Sequence, residues 1–414
     1  MRPRCAIVDA YSAARFLPRE FQALGYDCIH VQSTPEILPV FRTSFQPDDF
    51  MANVIHRGDL GATIRELAAL APELVIAGIE CGVELADQLS VRIGRVTNGL
   101  DRSEARRNKY LMAETLREKG IRAVKQARVG DLASLVGWTE EHGDWPVVVK
   151  PINSAGSDGV SICHSTADVI RAYHAIAGMT NIMGKPNHDV LVQEFLKGDE
   201  YIINSVSCAG EVYFTDLWKS WKIAIDGGRK MIYDTEQLLP FDGVVQESLR
   251  GYVAQVLQAL EIWHGPAHTE VMLTSQGPVL IEVGARVSGG MHPQAHLQAV
   301  GHTQFQLTAL AYANHEAFFK KARVPYQVRC PIVCVALISS QEGVVAEIPI
   351  AEELKRLPSY IAAQLRVKPN GPIRKTGDLN SSPGDVFLGH PDPEILRADY
   401  LHLREREKTG FLVQ

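Results

Sequence analysis

The chain has 414 residues, 46% of them hydrophobic, which is enough for two or three domains with cores of their own. Its formal net charge of −6 excludes a basic domain of the kind that binds nucleic acid. No run of about eighteen apolar residues is present, which excludes a predicted membrane span.

Cysteine usage and the N-terminus indicate the compartment. The seven cysteines are scattered, with no CxxC pair and an odd total, which favours reduced thiols over disulfides. Asp9 interrupts the apolar stretch that follows Arg2 and Arg4, so a signal peptide is not predicted. We therefore expect a cytoplasmic protein.

Strands alternate with helices over residues 1–95, which predicts a parallel, doubly wound sheet. The predicted elements are a strand at residues 4–10, a helix from Ser12 to Gly25, and strands at 26–32 and 74–78, followed by a helix from Val83 to Ile93. Such sheets bind ligands beyond the carboxyl ends of their strands, here Asp9–Ser12 and Gly78–Gly82. Glu80 is the more suggestive residue there, although a charge that complements a helix dipole explains it equally well.

A glycine-rich loop follows the next elements. A helix over 102–119 carries Lys109, which alone would be a surface lysine, and a strand is predicted at 123–129. The strand Trp145–Pro151 carries Lys150 near its end, and the loop 153–159 then leads to a strand at 160–164. Backbone N–H groups of such a loop can fold over phosphates, but glycine loops between strands are common and no Walker pattern is present.

Residues 190–201 predict a strand, a short linker and a second strand. The linker beside Phe195 and Leu196 suits a purine edge, and Glu200 suits ribose hydroxyls, although an ordinary hairpin with surface acids has the same pattern. Further strands are predicted at 201–208, 211–218 and 231–235, with a mobile loop over 225–230 and a helix over 244–262.

Residues 268–286 predict a β-hairpin whose apolar residues recur at every second position. With Ser275–Gly277 as the loop, pairing is symmetric about position 276 and places Glu270 opposite Glu282. Like charges about 5 Å apart are destabilising, so we expect a cation between them. Two carboxylates suit Mg²⁺, which completes its ligands with water and substrate phosphates, and Arg286 follows where it can hold a phosphoryl oxygen. A solvated hairpin edge is the alternative.

The remaining chain predicts helices up to Ala322, a strand at 331–338 and a charged helix at 393–408. No repeats or long linkers are present, so we expect closely packed domains.

The ordered set Lys109, Lys150 with its glycine loop, 193–196, Glu200, Glu270 and Glu282-x-x-x-Arg286 resembles the ATP-grasp superfamily. Within it, the residues around Glu270 and Glu282 look most like bacterial L-amino acid ligases of the bacilysin, tabtoxin and dapdiamide type. The resemblance implies an α/β and α+β fold with three parts: a Rossmann-like pre-ATP-grasp domain (1–100), a lid subdomain with the glycine loop (101–196) and a C-terminal ATP-grasp lobe (197–414).

The resemblance also implies a role for each matching residue. ATP would be bound by its phosphates, adenine and ribose through Lys109, Lys150, Ser154, Gly156, Ser157, Gly159, Glu194, Phe195, Leu196 and Glu200. Glu270 and Glu282 would hold Mg²⁺ or Mn²⁺. Arg286, with Lys150, Ser288 and Gly289, would stabilise the transferring phosphoryl group and the later tetrahedral intermediate. Many superfamily members have Asn two residues after the second metal glutamate, where this chain has Gly284, so one metal would have fewer protein ligands.

The resemblance implies substrate contacts from Asp234, Gln237, His268, Gly290 and His292. An acid of the segment 234–237 would meet a substrate ammonium, although a plain strand-to-turn segment has the same pattern. Gly290 predicts an open pocket for a larger substrate, and His292 is also suited to cap the following helix.

The leading hypothesis is an ATP-dependent ligase that joins two amino acids through an acylphosphate, with small-molecule substrates and a homodimer as the expected assembly. The alternatives are an ATP-grasp ligase or carboxylase for a carboxylate that is not an amino acid, and a nucleotide-binding protein without turnover.

Overall fold

The chain opens with a four-stranded parallel sheet in the order β3-β2-β1-β4. The computed structural model describes residues 2–414. The elements of this part are β1 (Arg4–Val8), α1 (Leu17–Ala23), β2 (Asp27–Gln32), β3 (Ala52–Ile55), α2 (Leu60–Ala69), β4 (Leu74–Ala77) and α3 (Val83–Arg92). Alternate residues of β1 enter two different cores, Cys5 and Ile7 on one face and Ala6 and Val8 on the other. The predicted doubly wound sheet is confirmed.

A helix and a four-stranded antiparallel sheet follow, with the strands in the order β5-β8-β6-β7. The elements are α4 (Lys109–Glu118), β5 (Gln126–Val129), α5 (Leu132–His142), β6 (Val147–Pro151), β7 (Ser161–Cys163), α6 (Thr166–Ile176) and β8 (Val190–Glu194). The prediction that α4 begins at residue 102 is wrong. Asn108 caps α4, because its side chain accepts hydrogen bonds from the backbone N–H groups of Tyr110 and Leu111.

The largest sheet has eight antiparallel strands in the order β13-β12-β9-β10-β11-β14-β18-β16. The remaining elements are β9 (Gly198–Cys208), β10 (Glu211–Ile225), β11 (Lys230–Leu239), α7 (Val244–Ala259), β12 (Gly265–Thr274), β13 (Gly277–Gly284), α8 (Pro293–Val300), α9 (Gln304–Ala313), α10 (His315–Ala322), β14 (Ile332–Ala336), β15 (Gly343–Glu347), α11 (Ile350–Leu354), β16 (Tyr360–Leu365), β17 (Pro372–Ile373), β18 (Gly384–Gly389), α12 (Pro393–Arg406) and β19 (Leu412–Val413). A small sheet, β17-β15-β19, completes the C-terminal part.

The hairpin of β12 and β13 pairs Glu270 with Glu282, as predicted, but by a different route. Thr274 pairs with Gly277, so the turn contains two residues rather than three. A bulge next to Glu270 adds one residue to β13 and restores the predicted pairing. Between turn and bulge, Leu280 pairs with Val271 instead of lying on the opposite face, so the faces predicted for residues 279 and 280 are wrong.

Strands β10 and β11 extend well beyond the predicted limits. They pair from Leu217 with Leu239 to Ile225 with Lys230, with one bulge, and are joined by the short turn Asp226–Gly228. The turn lies inside the predicted loop 225–230, and only the end residues of that loop, Ile225 and Lys230, belong to strands. Lys222 pairs with Tyr233 and Trp221 with Thr235, which leaves Asp234 as the extra residue of a bulge. The bulge reverses the direction of the side chains that follow it.

The basic stretch at 102–109 joins the parallel sheet to the eight-stranded sheet. Arg106 is completely buried and donates hydrogen bonds to Asp87 and to the carbonyls of Gly99 and Leu260. All seven cysteines are free. Among residues 2–414, every helix is too short or too polar to cross a membrane.

Candidate active site

The three large sheets enclose one cavity of about 1620 Å³. Its wall includes Ser12 from the parallel sheet, Lys150 from β6, Glu270 from β12 and Arg366 from the C-terminal part. The volume exceeds the roughly 300–1,000 Å³ of a site for one small ligand, so the cavity has room for more than one.

Two lysines lie at the end of the cavity beneath the glycine loop. The Lys109 ammonium donates to Glu282 Oε1 at 2.8 Å and to the carbonyl of Ser154. Lys150 is 6% exposed. Burial, followed by the nearby charge of Lys109, lowers the pKa of Lys150 to about 8. The pair forms a positive, partly desolvated wall, which suits phosphate.

The glycine loop folds back over these lysines. The loop has positive φ angles at Gly156 (66°), Ser157 (62°) and Gly159 (66°). At the two glycines this conformation has no steric cost. Ser154 donates a hydrogen bond to Asp158 at 2.6 Å. The carbonyl of Gly156 accepts from the backbone N–H of Leu379 at 3.3 Å, so the loop is held against the C-terminal part of the chain.

The residues predicted to bind adenine and ribose line the cavity beside the loop. Phe195 and Leu196 form part of the wall between β8 and β9. The Glu194 carboxylate accepts from the backbone N–H of Lys125 at 2.7 Å, which fixes this linker. Glu200 forms an ion pair with Lys222 at 2.7 Å on the inner face of the sheet. Burial, first among several causes, raises the pKa of Glu200.

Glu270 and Glu282 face each other across the hairpin and both line the cavity. His268 Nε2 lies 3.4 Å from Glu270 Oε1, and its Nδ1 lies 2.9 Å from Asn204 Oδ1. Burial alone would raise the pKa of Glu270, but contacts with His268 and the charge of Lys222 hold it at about 2. Two facing carboxylates fit Mg²⁺, which takes its other ligands from water and phosphates. Within residues 2–414, no group of three or more His, Cys, Asp or Glu side chains is arranged to hold a metal ion.

Arg286 is tied to the parallel sheet through Glu80. Its Nε donates to Glu80 Oε2 at 2.8 Å, and Arg107 forms an ion pair with the other oxygen of the same carboxylate. Burial would raise the pKa of Glu80, but Arg107 and Arg286 hold it at about 2. A Cβ atom on Gly284 would lie 2.7 Å from Glu80 Oε2 and 3.1 Å from Arg286 Nε. Glycine at 284 therefore leaves room for the ion pair between Glu80 and Arg286.

Ser288, Gly289 and Gly290 continue the wall beyond Arg286. The backbone N–H of Ser288 donates to the side chain of Gln304 at 2.8 Å, which anchors the segment. The position of a Cβ on Gly290 is 4.0 Å from Glu236 Oε2, so the glycine faces this carboxylate across open space.

Three of the predicted substrate residues are placed differently from the prediction. Asp234 lines the cavity, but its carboxylate forms an ion pair with Arg404 at 2.5 Å and accepts from the Tyr400 hydroxyl of α12. Gln237 is exposed and lies outside the cavity wall, so that prediction is wrong.

His292 is at the N-cap position of α8, but its side chain makes no capping hydrogen bond. It also lies outside the cavity wall, and its ring packs against Phe16 and Phe387. His296, one turn later in α8, lines the cavity instead.

Sequence reasoning missed Lys222, Tyr233 and Arg107, and it selected Asp234 and Gln237 rather than Glu236 from the segment 234–237. The Lys222 ammonium lies 4.3 Å from the ring centroid of Tyr233, and both residues line the cavity. Burial, then Asp385, raises the pKa of Glu236 to about 8. The polar residues Ser220 and Lys222 alternate with their neighbours beyond Trp218, and this pattern already indicated that β10 continues.

Comparisons with known proteins relate this chain to ATP-grasp ligases. A family model described as "ATP-grasp domain" matches residues 144–294. Dapdiamide A synthase of Enterobacter agglomerans is 37% identical over 416 residues, with 98% of this chain and 96% of that protein covered. An L-arginine-specific L-amino acid ligase of Bacillus subtilis is 26% identical over 44% of each chain. The crystal structure of an L-amino acid ligase from Bacillus licheniformis covers both chains completely, with a TM-score of 0.78 and 18% identity, which shows the fold alone.

Proposed function

The chain belongs to the ATP-grasp ligase family that includes dapdiamide A synthase, and from this premise we propose how it joins two amino acids at the expense of ATP. One observation carries the proposal. Glu270 and Glu282 face each other in a cavity whose wall also contains the oppositely charged residues Lys109, Lys150 and Arg286. The predicted reaction, ATP-dependent carboxylate–amine ligation, agrees with the relatives named above.

The nucleotide takes the end of the cavity under the glycine loop. Lys109 and Lys150 neutralise its phosphates, and Phe195 and Leu196 contact the base. Glu200, already ionically paired with Lys222, is placed to accept from the ribose hydroxyls. Glu270 and Glu282 would hold Mg²⁺, which when bound would supply charge neutralisation at the phosphates.

A carboxylate and an amine do not condense in water unless the carboxylate gains a leaving group. The donor carboxylate oxygen attacks the γ-phosphorus of ATP, the bond from that phosphorus to the ADP oxygen breaks, and an acylphosphate forms. Phosphoryl transfer needs mainly positioning and charge neutralisation, which explains a site with basic groups and no protein nucleophile. Arg286, held in place by Glu80, stabilises the transferring group.

The acceptor amine then attacks the acyl carbon. Its nitrogen forms the amide bond, the carbon–oxygen bond to phosphate breaks, and the amine loses its proton. Because acylphosphates hydrolyse, water must be excluded, and the closed glycine loop does this.

Glu236 replaces Asp234 and Gln237 as the residue proposed to meet a substrate ammonium. It faces Gly290 and lines the cavity, and it has no hydrogen-bond or ion-pair partner among the described residues. An ammonium group would relieve the cost of a buried, unpaired carboxylate.

The test is phosphate release by the purified protein with ATP, Mg²⁺ and all pairs of common amino acids, with the products identified by mass spectrometry. We expect phosphate and a dipeptide in equal amounts for at least one pair. Background phosphate release with every pair would reject the proposal, and a product lacking an amino acid donor would assign another carboxylate substrate.

We also propose a cytosolic location and a homodimer. The seven free cysteines suit a reducing compartment. Fractionation of the producing cells and light scattering on the purified protein test the two statements.

A further inference from the structure

Arg15 is a charged residue of the cavity wall that the proposed mechanism does not use. It lies in the turn of 3-10 helix Ser12–Phe16, shortly after β1. Parallel α/β sheets bind ligands beyond the carboxyl ends of their strands, and this turn occupies that place. Arg15 and Ser12 both line the cavity.

The Arg15 guanidinium has no hydrogen-bond or ion-pair partner within residues 2–414. Three other cavity arginines are paired with carboxylates: Arg229 with Asp168, Arg286 with Glu80 and Arg366 with Asp385. Arg374 also lines the cavity, but it is exposed to solvent, whereas Arg15 is half-buried. Burial lowers the pKa of Arg15, so its charge has lost part of its hydration without gaining a counter-ion. A bound anion would supply the missing partner.

The surroundings of Arg15 place it on the substrate side of the cavity. Its guanidinium carbon lies over the Phe16 ring, 4.7 Å from the ring centroid, a cation–π contact that uses no N–H group as a hydrogen-bond donor. The Phe16 ring packs against His292, two residues after Gly290. Arg15 is therefore close to the segment that follows Arg286. Burial, followed by His296 and Arg15, lowers the pKa of His292, which favours a neutral ring there.

A guanidinium binds a carboxylate through two parallel N–H···O hydrogen bonds. In the proposed ligation, the donor's α-carboxylate becomes the amide, whereas the acceptor's α-carboxylate stays free and is carried into the product. We propose that Arg15 binds the α-carboxylate of the acceptor amino acid and so selects amino acids over simple amines. This assignment rests on the proposed function.

The test compares wild type, Arg15→Leu and Arg15→Lys with the amino acid pair that gives most product. The acceptor is supplied either as the free amino acid or as its primary amide. For Arg15→Leu, we expect the KM for the free acceptor to rise about 10- to 100-fold, the scale of losing hydrogen bonds to a charged group. The KM values for the amide and for ATP stay unchanged, and Arg15→Lys recovers part of the preference for the acid.

Arg19→Leu is the matched control, because Arg19 is exposed in α1 and pairs only at 3.9 Å with Asp49. If Arg15→Leu raises the KM for the free acid and for the amide equally, or raises only the KM for the donor, the proposed role of Arg15 is wrong. Product formation by wild type would still support the ligase assignment in that case. Failure of wild type to make product with any pair would reject both.

Discussion

Glu80 Oε2 accepts a hydrogen bond from Arg286 Nε at 2.8 Å across 206 residues of sequence. The contact joins the N-terminal part of the chain to the segment that follows β13. Because Arg107 forms an ion pair with the other oxygen of the same carboxylate, Glu80 holds Arg286 in place at the cavity wall. The N-terminal part of the chain therefore contributes to the position of Arg286.

Removing the charge of Glu80 should loosen Arg286. We expect Glu80→Gln to lower kcat about tenfold or more, because Arg286 acts through its position at the transferring group, with little change in the KM for ATP. Steady-state kinetics measure the split. Glu73→Gln is the control, since Glu73 forms an exposed ion pair with Arg95 and should be neutral. A wild-type kcat for Glu80→Gln would show that Arg286 needs no such support.

Gly284 should tolerate no side chain. A Cβ there would lie 2.7 Å from Glu80 Oε2, so Gly284→Ala should separate Glu80 from Arg286 and lower turnover by a similar factor. Gly251→Ala provides the comparison, because this helical glycine has open space around it and alanine stabilises a helix by roughly 1 kcal/mol. Measuring turnover and thermal melting for both variants distinguishes the steric clash at Gly284 from a general loss of stability. Equal turnover in the two variants would contradict the predicted clash between the alanine side chain and Glu80.

Lys150 should give a characteristic pH dependence. With a pKa of about 8, the free enzyme loses this cation as the pH rises through 8, so kcat/KM for ATP should fall above that pH. Lys150→Met should be slow and show no such inflection.

The same pKa predicts an effect on stability. The pKa of Lys150 lies below the ordinary value of 10.5, so folding disfavours the charged form of this lysine. The free-energy cost to folding is fully present below pH 8, declines as the pH rises from 8 to 10.5, and is absent above pH 10.5. Lys150→Met should therefore melt at a higher temperature than wild type at pH 7 without nucleotide. A lower Tm would contradict the burial of a charge.

Glu236 should contribute to amino acid binding. Glu236→Gln should raise the KM of one amino acid about 10- to 100-fold and leave that of ATP unchanged, while Gln237→Ala, which changes the exposed neighbour, should have no effect. The pKa of Glu236 in the folded protein is about 8, above the ordinary value of 4.5, so folding disfavours the ionised carboxylate. The free-energy cost is absent below pH 4.5, grows as the pH rises from 4.5 to 8, and is fully present above pH 8. Glu236→Gln should therefore gain stability relative to wild type at pH 8. Unchanged KM values for both amino acids would remove Glu236 from the substrate site.

Much of the fold follows from local patterns. The alternation of strands and helices before residue 95 predicts the parallel sheet, because the sequence displays this short-range pattern directly. The pairing of Glu270 with Glu282 is predicted from a three-residue loop, whereas the structure reaches it through a two-residue turn and a bulge that offset each other.

The failures come from bulges and from distant contacts. One extra residue at Asp234 turns that acid toward Arg404 and brings Glu236 to the inner face, and a bulge carries no strong sequence signal. The partnership of Glu80 with Arg286 depends on how two sheets pack, so Glu80 could not be distinguished from an ordinary helix-end acid. The domain limits at 100 and 196 stay predictions.

We propose that the Glu270 and Glu282 carboxylates, which face each other across a β-hairpin, would hold a metal ion at the phosphates. The most direct test is the turnover of Glu282→Gln and Arg286→Ala with the best amino acid pair, alongside the exposed control Glu211→Gln. We predict that each of the first two lowers turnover by at least about a hundredfold, the scale of losing one preorganised electrostatic contact, while the control stays at the wild-type rate. A near wild-type rate in either Glu282→Gln or Arg286→Ala, with thermal melting unchanged, would contradict the account.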